Sequence, residues 1–202
     1  MPPGILRQIK SKLERADAGS EPKPINTSLL VLVPQSAYTE KLFHSVILDT
    51  CKNMKPEGIL WICTHMSAKK TRQKLEKSGF DMRSVWFIDM ISKISAVAQD
   101  GENTIYCEFP SDYSSLLSYL DSAVGKIGRC IIVFDNLSAV LTYDKSQGIL
   151  KVLRTMNNWM YEKGCAGIYL LIQGSCDAQL ETTIQSTMDR VCQSPPVVDW
   201  RY

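Results

Sequence analysis

From Cys130 to Phe134 five apolar residues run without a polar break, and Asp135 follows them. A run of this kind reads as a strand buried on both faces. Four more segments have the same character: residues 28–33 (S-L-L-V-L-V), 58–63 (G-I-L-W-I-C), 85–89 (V-W-F-I-D) and 167–172 (G-I-Y-L-L-I). Residues 105–109 and 190–193 suit shorter strands, the second as a closing edge. The intervening segments repeat with helical period. Residues 37–54 place Phe43, Val46, Ile47, Cys51 and Met54 on one face. Ser67 can cap a helix running to about residue 78, with Gly79 just past its end. Pro110 and Ser111 open a helix through about residue 124, with Leu116, Leu117, Leu120 and Val124 inward. Residues 145–162 carry the clearest stripe: Ile149, Val152, Leu153, Met156, Trp159 and Met160, stopped by Gly164. A polar helix is expected over 177–188, and residues 91–102 read as partly irregular. Short apolar strands alternating with longer helices predict an α/β fold: a mainly parallel twisted sheet with helices on both faces.

The two ends depart from this rhythm. Residues 4–15 suit an amphipathic helix, with Ile5, Leu6, Ile9 and Leu13 on one face and basic residues mostly opposite. Its apolar face is small and lacks aromatics, which suits a peripheral helix lying on its own domain or another subunit better than a membrane surface. Residues 16–24 have linker composition. The expected organisation is therefore an N-terminal helix and linker over 1–24, one globular domain over 25–194 and an irregular tail over 195–202.

Composition narrows the field. The 202 residues suffice for one well-buried domain and are short for two. A formal net charge of +2 gives no electrostatic argument for nucleic acid or a membrane. No apolar run approaches the ~20 residues of a bilayer span, and charged residues interrupt any secretory leader, so the cytoplasm is the expected setting. The seven cysteines form no C-x-x-C pair, and His44 and His65 are too scattered for a metal cluster. Free thiols in a reducing compartment are expected. The basic residues Lys69, Lys70, Arg72, Lys74 and Lys77 read as the solvated face of an outer helix, with Leu75 turned inward.

Three stretches, in this order, resemble the RecA/KaiC-like branch of P-loop ATPases. S-L-L-V-L-V-P-Q-S-A-Y-T-E-K-L stands where that family has its phosphate-binding strand and loop. G-I-L-W-I-C-T-H-M-S-A-K-K-T-R-Q-K-L-E-K-S-G-F-D, followed by V-W-F-I-D, is similar to the KaiC-type segment leading to a short strand that ends in Asp. C-I-I-V-F-D-N-L-S-A-V-L, the long helix and G-C-A-G-I-Y-L-L-I are similar to the Walker B strand and the strand after it. The resemblance spans residues 28–193 and implies a RecA/KaiC-like three-layer sandwich with Asp135 placed to hold magnesium. The first loop also resembles that of uncharacterised archaeal KaiC-like regulatory proteins lacking the Walker A signature.

The catalytic positions of the family are not matched. A working loop is G-x-x-x-x-G-K-[ST], whose backbone N–H groups, lysine and hydroxyl hold phosphate and magnesium. In that frame Pro34 and Thr39 stand at the glycines, Glu40 at the lysine and Lys41 at the hydroxyl residue. Sliding by one puts Lys41 at the lysine but Glu40 at a glycine. The strand that should end in a glutamate ends Cys63-Thr64-His65-Met66, and His65 reads as an ordinary loop histidine. Asp135 persists, either as a magnesium ligand or, on the preferred reading, as a cap for residues 136–141 or the neighbouring loop. Gln173 suits a phosphate sensor or a plain polar strand end. The expectation is a non-catalytic regulatory or protein-interaction domain without a cofactor, its partner a protein or a second copy of the chain. The alternative is an ATP-binding or weakly active ATPase using ATP and Mg2+, with Ser36, Thr39, Lys41 and Asp135 as the nucleotide-binding residues. A different α/β enzyme has no supporting motif: G-x-S-x-G, H-E-x-x-H and G-x-G-x-x-G are all absent.

Overall fold

The computed structural model describes residues 26–35, 40–93, 103–107, 113–143 and 148–193. The expected N-terminal helix and linker, the C-terminal tail, the segment 94–102, and Ser36 and Thr39 lie outside them. The described strands are β1 (Ser28–Val33), β2 (Gly58–Cys63), β3 (Val85–Asp89), β4 (Thr104–Tyr106), β5 (Cys130–Phe134), β6 (Ala166–Ile172) and β7 (Arg190–Gln193). The helices are α1 (Glu40–Met54), α2 (Ala68–Lys77), α3 (Tyr113–Ile127), α4 (Leu137–Tyr143), α5 (Gly148–Lys163) and α6 (Ala178–Ser186). All seven strands join one sheet in the order β4-β3-β2-β5-β6-β1-β7, and every pairing is parallel.

Strand period two explains the layers. Along β1, Val31 and Val33 face one side while Leu30 and Leu32 face the other. In β2, Ile59, Trp61 and Cys63 share the side of Val31, and in β5 so do Ile131 and Val133. Phe43, Val46 and Ile47 of α1 and Leu75 of α2 cover that side. The opposite side meets α3 to α6 through residues such as Leu120, Leu137, Leu153 and Ile184. β2 and β5 are buried at every position because both of their faces are covered. The hydrophobic runs therefore predict the sheet because each face needs its own apolar set.

The helix ends follow the expected chemistry. The Ser67 hydroxyl accepts from Lys70 N at 3.4 Å, and Gly79 at φ +89° lets Phe80 N reach Leu75 O at 3.1 Å. The Asp177 carboxylate caps α6 by accepting from Leu180 N at 2.8 Å. At the sheet edge, Asp189 Oδ2 accepts from both Ser28 N and Ser28 Oγ, and Asp189 N donates to Ser28 Oγ at 3.0 Å. This reciprocal tie holds the start of β7 beside β1. The seven cysteines are unbridged; Cys130 and Cys165, at the base of β5 and β6, stand 3.8 Å apart sulfur to sulfur. Among the described residues, no helix is long and apolar enough to cross a membrane.

Three expectations need correction. α2 buries Ala68 and Thr71 as well as Leu75, so its inward face is wider than the sequence suggests. Its basic face is not wholly solvated: the Arg72 guanidinium lies 4.9 Å above the Phe87 ring, and Lys74 pairs with Glu40. The third concerns helix α4, which Asn136 caps rather than Asp135: Asn136 Oδ1 accepts from Ala139 N at 3.2 Å.

Candidate functional site

The sheet order makes β2 and β5 neighbours, with Ile62 opposite Phe134. Their carboxyl ends therefore emerge side by side, and Asp135 N continues the ladder by donating to Ile62 O at 3.2 Å. By the alternation of β5, Asp135 follows Ile131 and Val133 towards the α1–α2 layer. There its Oδ1 accepts from Thr64 N at 2.9 Å and Thr64 Oγ1 at 2.6 Å. The same hydroxyl lies 2.8 Å from Asn136 O, so its single proton is shared between two acceptors. Of the two structural roles expected of Asp135, a cap for residues 136–141 or for the neighbouring loop, the side chain takes the second and binds the loop after β2.

His65 is more than an ordinary loop histidine. Its Nδ1 stands 3.2 Å from Asp135 Oδ2, with the imidazole 27% exposed and the carboxylate 3%. The contact is an ion pair when the imidazole is protonated, and among the described residues Oδ2 has no hydrogen-bond partner that meets regular geometry. Pairing with the Asp135 side chain is the largest influence on His65 and raises its pKa above 6.5, against the opposing effect of burial. On His44 the same effect of burial prevails, and its pKa is lowered. His44 Nδ1 meets Ser78 Oγ at 2.9 Å, and its ring packs edge-on to Trp61 and Phe80.

α1 begins at this crevice with Glu40, whose Oε1 accepts from Lys74 Nζ at 2.6 Å. A carboxylate in the first turn of a helix is stabilised by the N-terminal dipole, and Lys74 arrives from α2. Glu40, Phe43, His44, Trp61, His65, Met66, Thr71, Lys74 and Asp135 line a crevice of about 10 Å³, the room of one water molecule. Lys41 is exposed on α1 and is not among the lining residues. The Gln173 side chain is exposed beyond β6. Of the sequence candidates, the structure places Asp135 in the crevice and Lys41 outside it. Ser36 and Thr39 lie outside the described residues.

A second buried aspartate closes β3. Asp89, 1% exposed, accepts from Ala68 N at 2.7 Å, Ile91 N at 2.9 Å, Ser92 N at 2.8 Å and Ser92 Oγ at 2.7 Å. It ties the start of α2 to the loop after β3.

The sequence signal for Thr64, Glu40 and Lys74 was partial. The period of G-I-L-W-I-C places Trp61 and Cys63 on one face, and that of C-I-I-V-F-D places Asp135 on one face. Nothing local says that these faces adjoin.

No protein-family model matches this chain, and no curated protein matches it. Solved structures do, with proteins of Pyrococcus horikoshii among them. The KaiC-like protein PH0186 is 13% identical, with 87% of this chain and 76% of that chain covered and a TM-score of 0.58. The uncharacterized protein PH0321, solved in complex with an unknown peptide, is 12% identical, with coverage of 94% and 84% and a TM-score of 0.67. PH0250 is 8% identical, with coverage of 93% and 86% and a TM-score of 0.55. Identities this low establish the fold alone, which is an α/β sandwich of RecA/KaiC-like architecture built on a parallel seven-stranded sheet.

Proposed function

We propose that this chain is a non-catalytic RecA/KaiC-like domain, a regulatory or protein-interaction module that has given up ATP hydrolysis. The observation that carries this reading is the Glu40–Lys74 ion pair at the start of α1. In the frame of the resemblance, that is where a phosphate loop presents its lysine to the nucleotide. Here a carboxylate holds the position and a lysine from another helix neutralises it. A phosphate arriving there would meet Glu40 as a like charge, and Pro34 has no N–H to offer it.

The residues around Asp135 do not fit a nucleotide and its magnesium. Thr64 occupies Oδ1, His65 stands against Oδ2, and the crevice has room for about one water molecule. No catalytic step follows from this arrangement. The partner we propose is a protein, or a second copy of this chain, and the setting is the cytoplasm. That PH0321 was solved with a peptide supports a peptide-like partner.

One observation favours a second reading, an ATP-binding or weakly active ATPase: Asp135 keeps Oδ2 without a hydrogen bond at the carboxyl end of a central strand. That reading would use Ser36, Thr39, Lys41 and Asp135 with ATP and Mg2+. Titration of the purified chain with a fluorescent ATP analogue and magnesium decides between them. The non-catalytic reading expects no saturable binding up to millimolar nucleotide. Micromolar binding that disappears in the double variant Lys41→Ala, Asp135→Asn would overturn it.

A further inference from the structure

Two buried polar atoms in the crevice lack a hydrogen bond from the described residues, one a donor and the other an acceptor whose nearest charged neighbour is His65 Nδ1 at 3.2 Å. Trp61 is 1% exposed and Asp135 is 3% exposed. The Trp61 indole Nε1–H and Asp135 Oδ2 are both buried, and neither makes a hydrogen bond with the described residues. Indole nitrogen can only donate, and a carboxylate oxygen can only accept. Both residues line the same crevice, Trp61 on β2 and Asp135 just after the adjacent β5. Buried polar groups are nearly always paired, often through an ordered water.

We propose that this crevice is a binding site for a single ordered water molecule that accepts from Trp61 Nε1–H and donates to Asp135 Oδ2. The occupant has to accept and donate at once, and it has to be small. The crevice volume of about 10 Å³ admits one water and little else. A metal cation could satisfy the carboxylate but has no lone pair for the indole proton, and that proton would point its positive end at the ion. The ammonium of Lys74 and the imidazole of His65 already line the crevice and add to the repulsion. Phe43 and Met66 add apolar walls to the crevice.

The two atoms that define the site lie on β2 and just after β5. A high-resolution crystal structure of the full chain should show a water peak about 3 Å from both atoms. In solution, the Trp61 indole proton should show cross-relaxation with long-lived water. Its signal is assigned among four tryptophans by its loss in Trp61→Phe. In Asp135→Asn, which keeps a side-chain oxygen, the indole signal should shift. Millimolar Mn2+ should leave the Trp61 signal of the wild-type protein unbroadened. A crevice without density at high resolution, a protein acceptor on the indole nitrogen (one from residues 36–39 included), or strong broadening by Mn2+ would each overturn the proposal.

Discussion

Asp89 and Asp135 occupy equivalent places. Each follows the last apolar residue of a buried parallel strand, each turns towards the α1–α2 layer, and their exposures are 1% and 3%. Their surroundings differ. Asp89 accepts four hydrogen bonds, three of them from backbone N–H groups, and both its oxygens are used. Asp135 spends Oδ1 on Thr64 and leaves Oδ2 to the His65 imidazole at 3.2 Å and the crevice. The first carboxylate is a joint: it joins a helix start to a loop and has nothing left for a ligand. The second is half committed, and only its uncommitted oxygen can report on a ligand. Position at a strand's carboxyl end is therefore a poor guide to function by itself. What separates the two is how many donors the local backbone turns inward.

The sharpest way to break this comparison is Asp89→Ala. It strands three N–H donors and a hydroxyl and should cost about 4 kcal/mol of stability, read from urea denaturation. A loss below about 1 kcal/mol would mean that water replaces the carboxylate and that Asp89 is no joint. Asp135→Ala should cost less, about 2 kcal/mol, because two donors of Thr64 lose their acceptor there, against three N–H groups and a hydroxyl at Asp89. If the two variants cost the same, the distinction between the residues fails.

A smaller effect follows from the histidines. His65 is raised above 6.5 by Asp135, so it favours the folded state fully below pH 6.5, and this contribution disappears as pH climbs through the raised folded value. His44 is lowered by burial, so the folded state is disfavoured as pH drops from 6.5 through its folded value. NMR titration of the two imidazoles should find His65 above and His44 below the ordinary histidine value. Asp135→Asn should bring His65 down and leave His44 nearly unmoved. Equal movement of both would show that Asp135 acts through the whole crevice.

The smallest expected change is Lys74→Met. The ion pair with Glu40 is half exposed, at 42% and 34%, so its loss should shift stability by no more than about 0.5 kcal/mol. Its use lies elsewhere: if this variant gains measurable binding of the ATP analogue, the ion pair does not block the site in the way proposed.

Much of the fold was legible from the chain alone. Residues 28–33, 58–63, 85–89, 130–134 and 167–172 announce strands because a strand buried on both faces needs apolar side chains at every position. The stripe from Ile149 to Met160 announces α5 because one helical face meets the sheet. Ser67, Gly79, Asp177 and Gly164 mark helix ends because capping is a matter of near neighbours in sequence. Asp135 stood out for the same local reason, as a charge at the end of an apolar run.

Its company was another matter. Thr64 and Asp135 are 71 residues apart, and Glu40 and Lys74 are 34 apart. They meet only because β5 inserts beside β2 and because α1 and α2 lie on the same face of the sheet. Hydrophobic periodicity says which residues turn inward, but it is the same for every order of the strands. The sequence by itself settled the elements, their alternation and the parallel sheet, since these follow from burial and local hydrogen bonding. Only the tertiary structure decided that His65 pairs with Asp135, that Glu40 is neutralised by Lys74, and that an indole donor and a carboxylate acceptor line one crevice. Side-chain hydrogen bonds and ion pairs act over a few ångströms, so they depend on which strands and helices become neighbours.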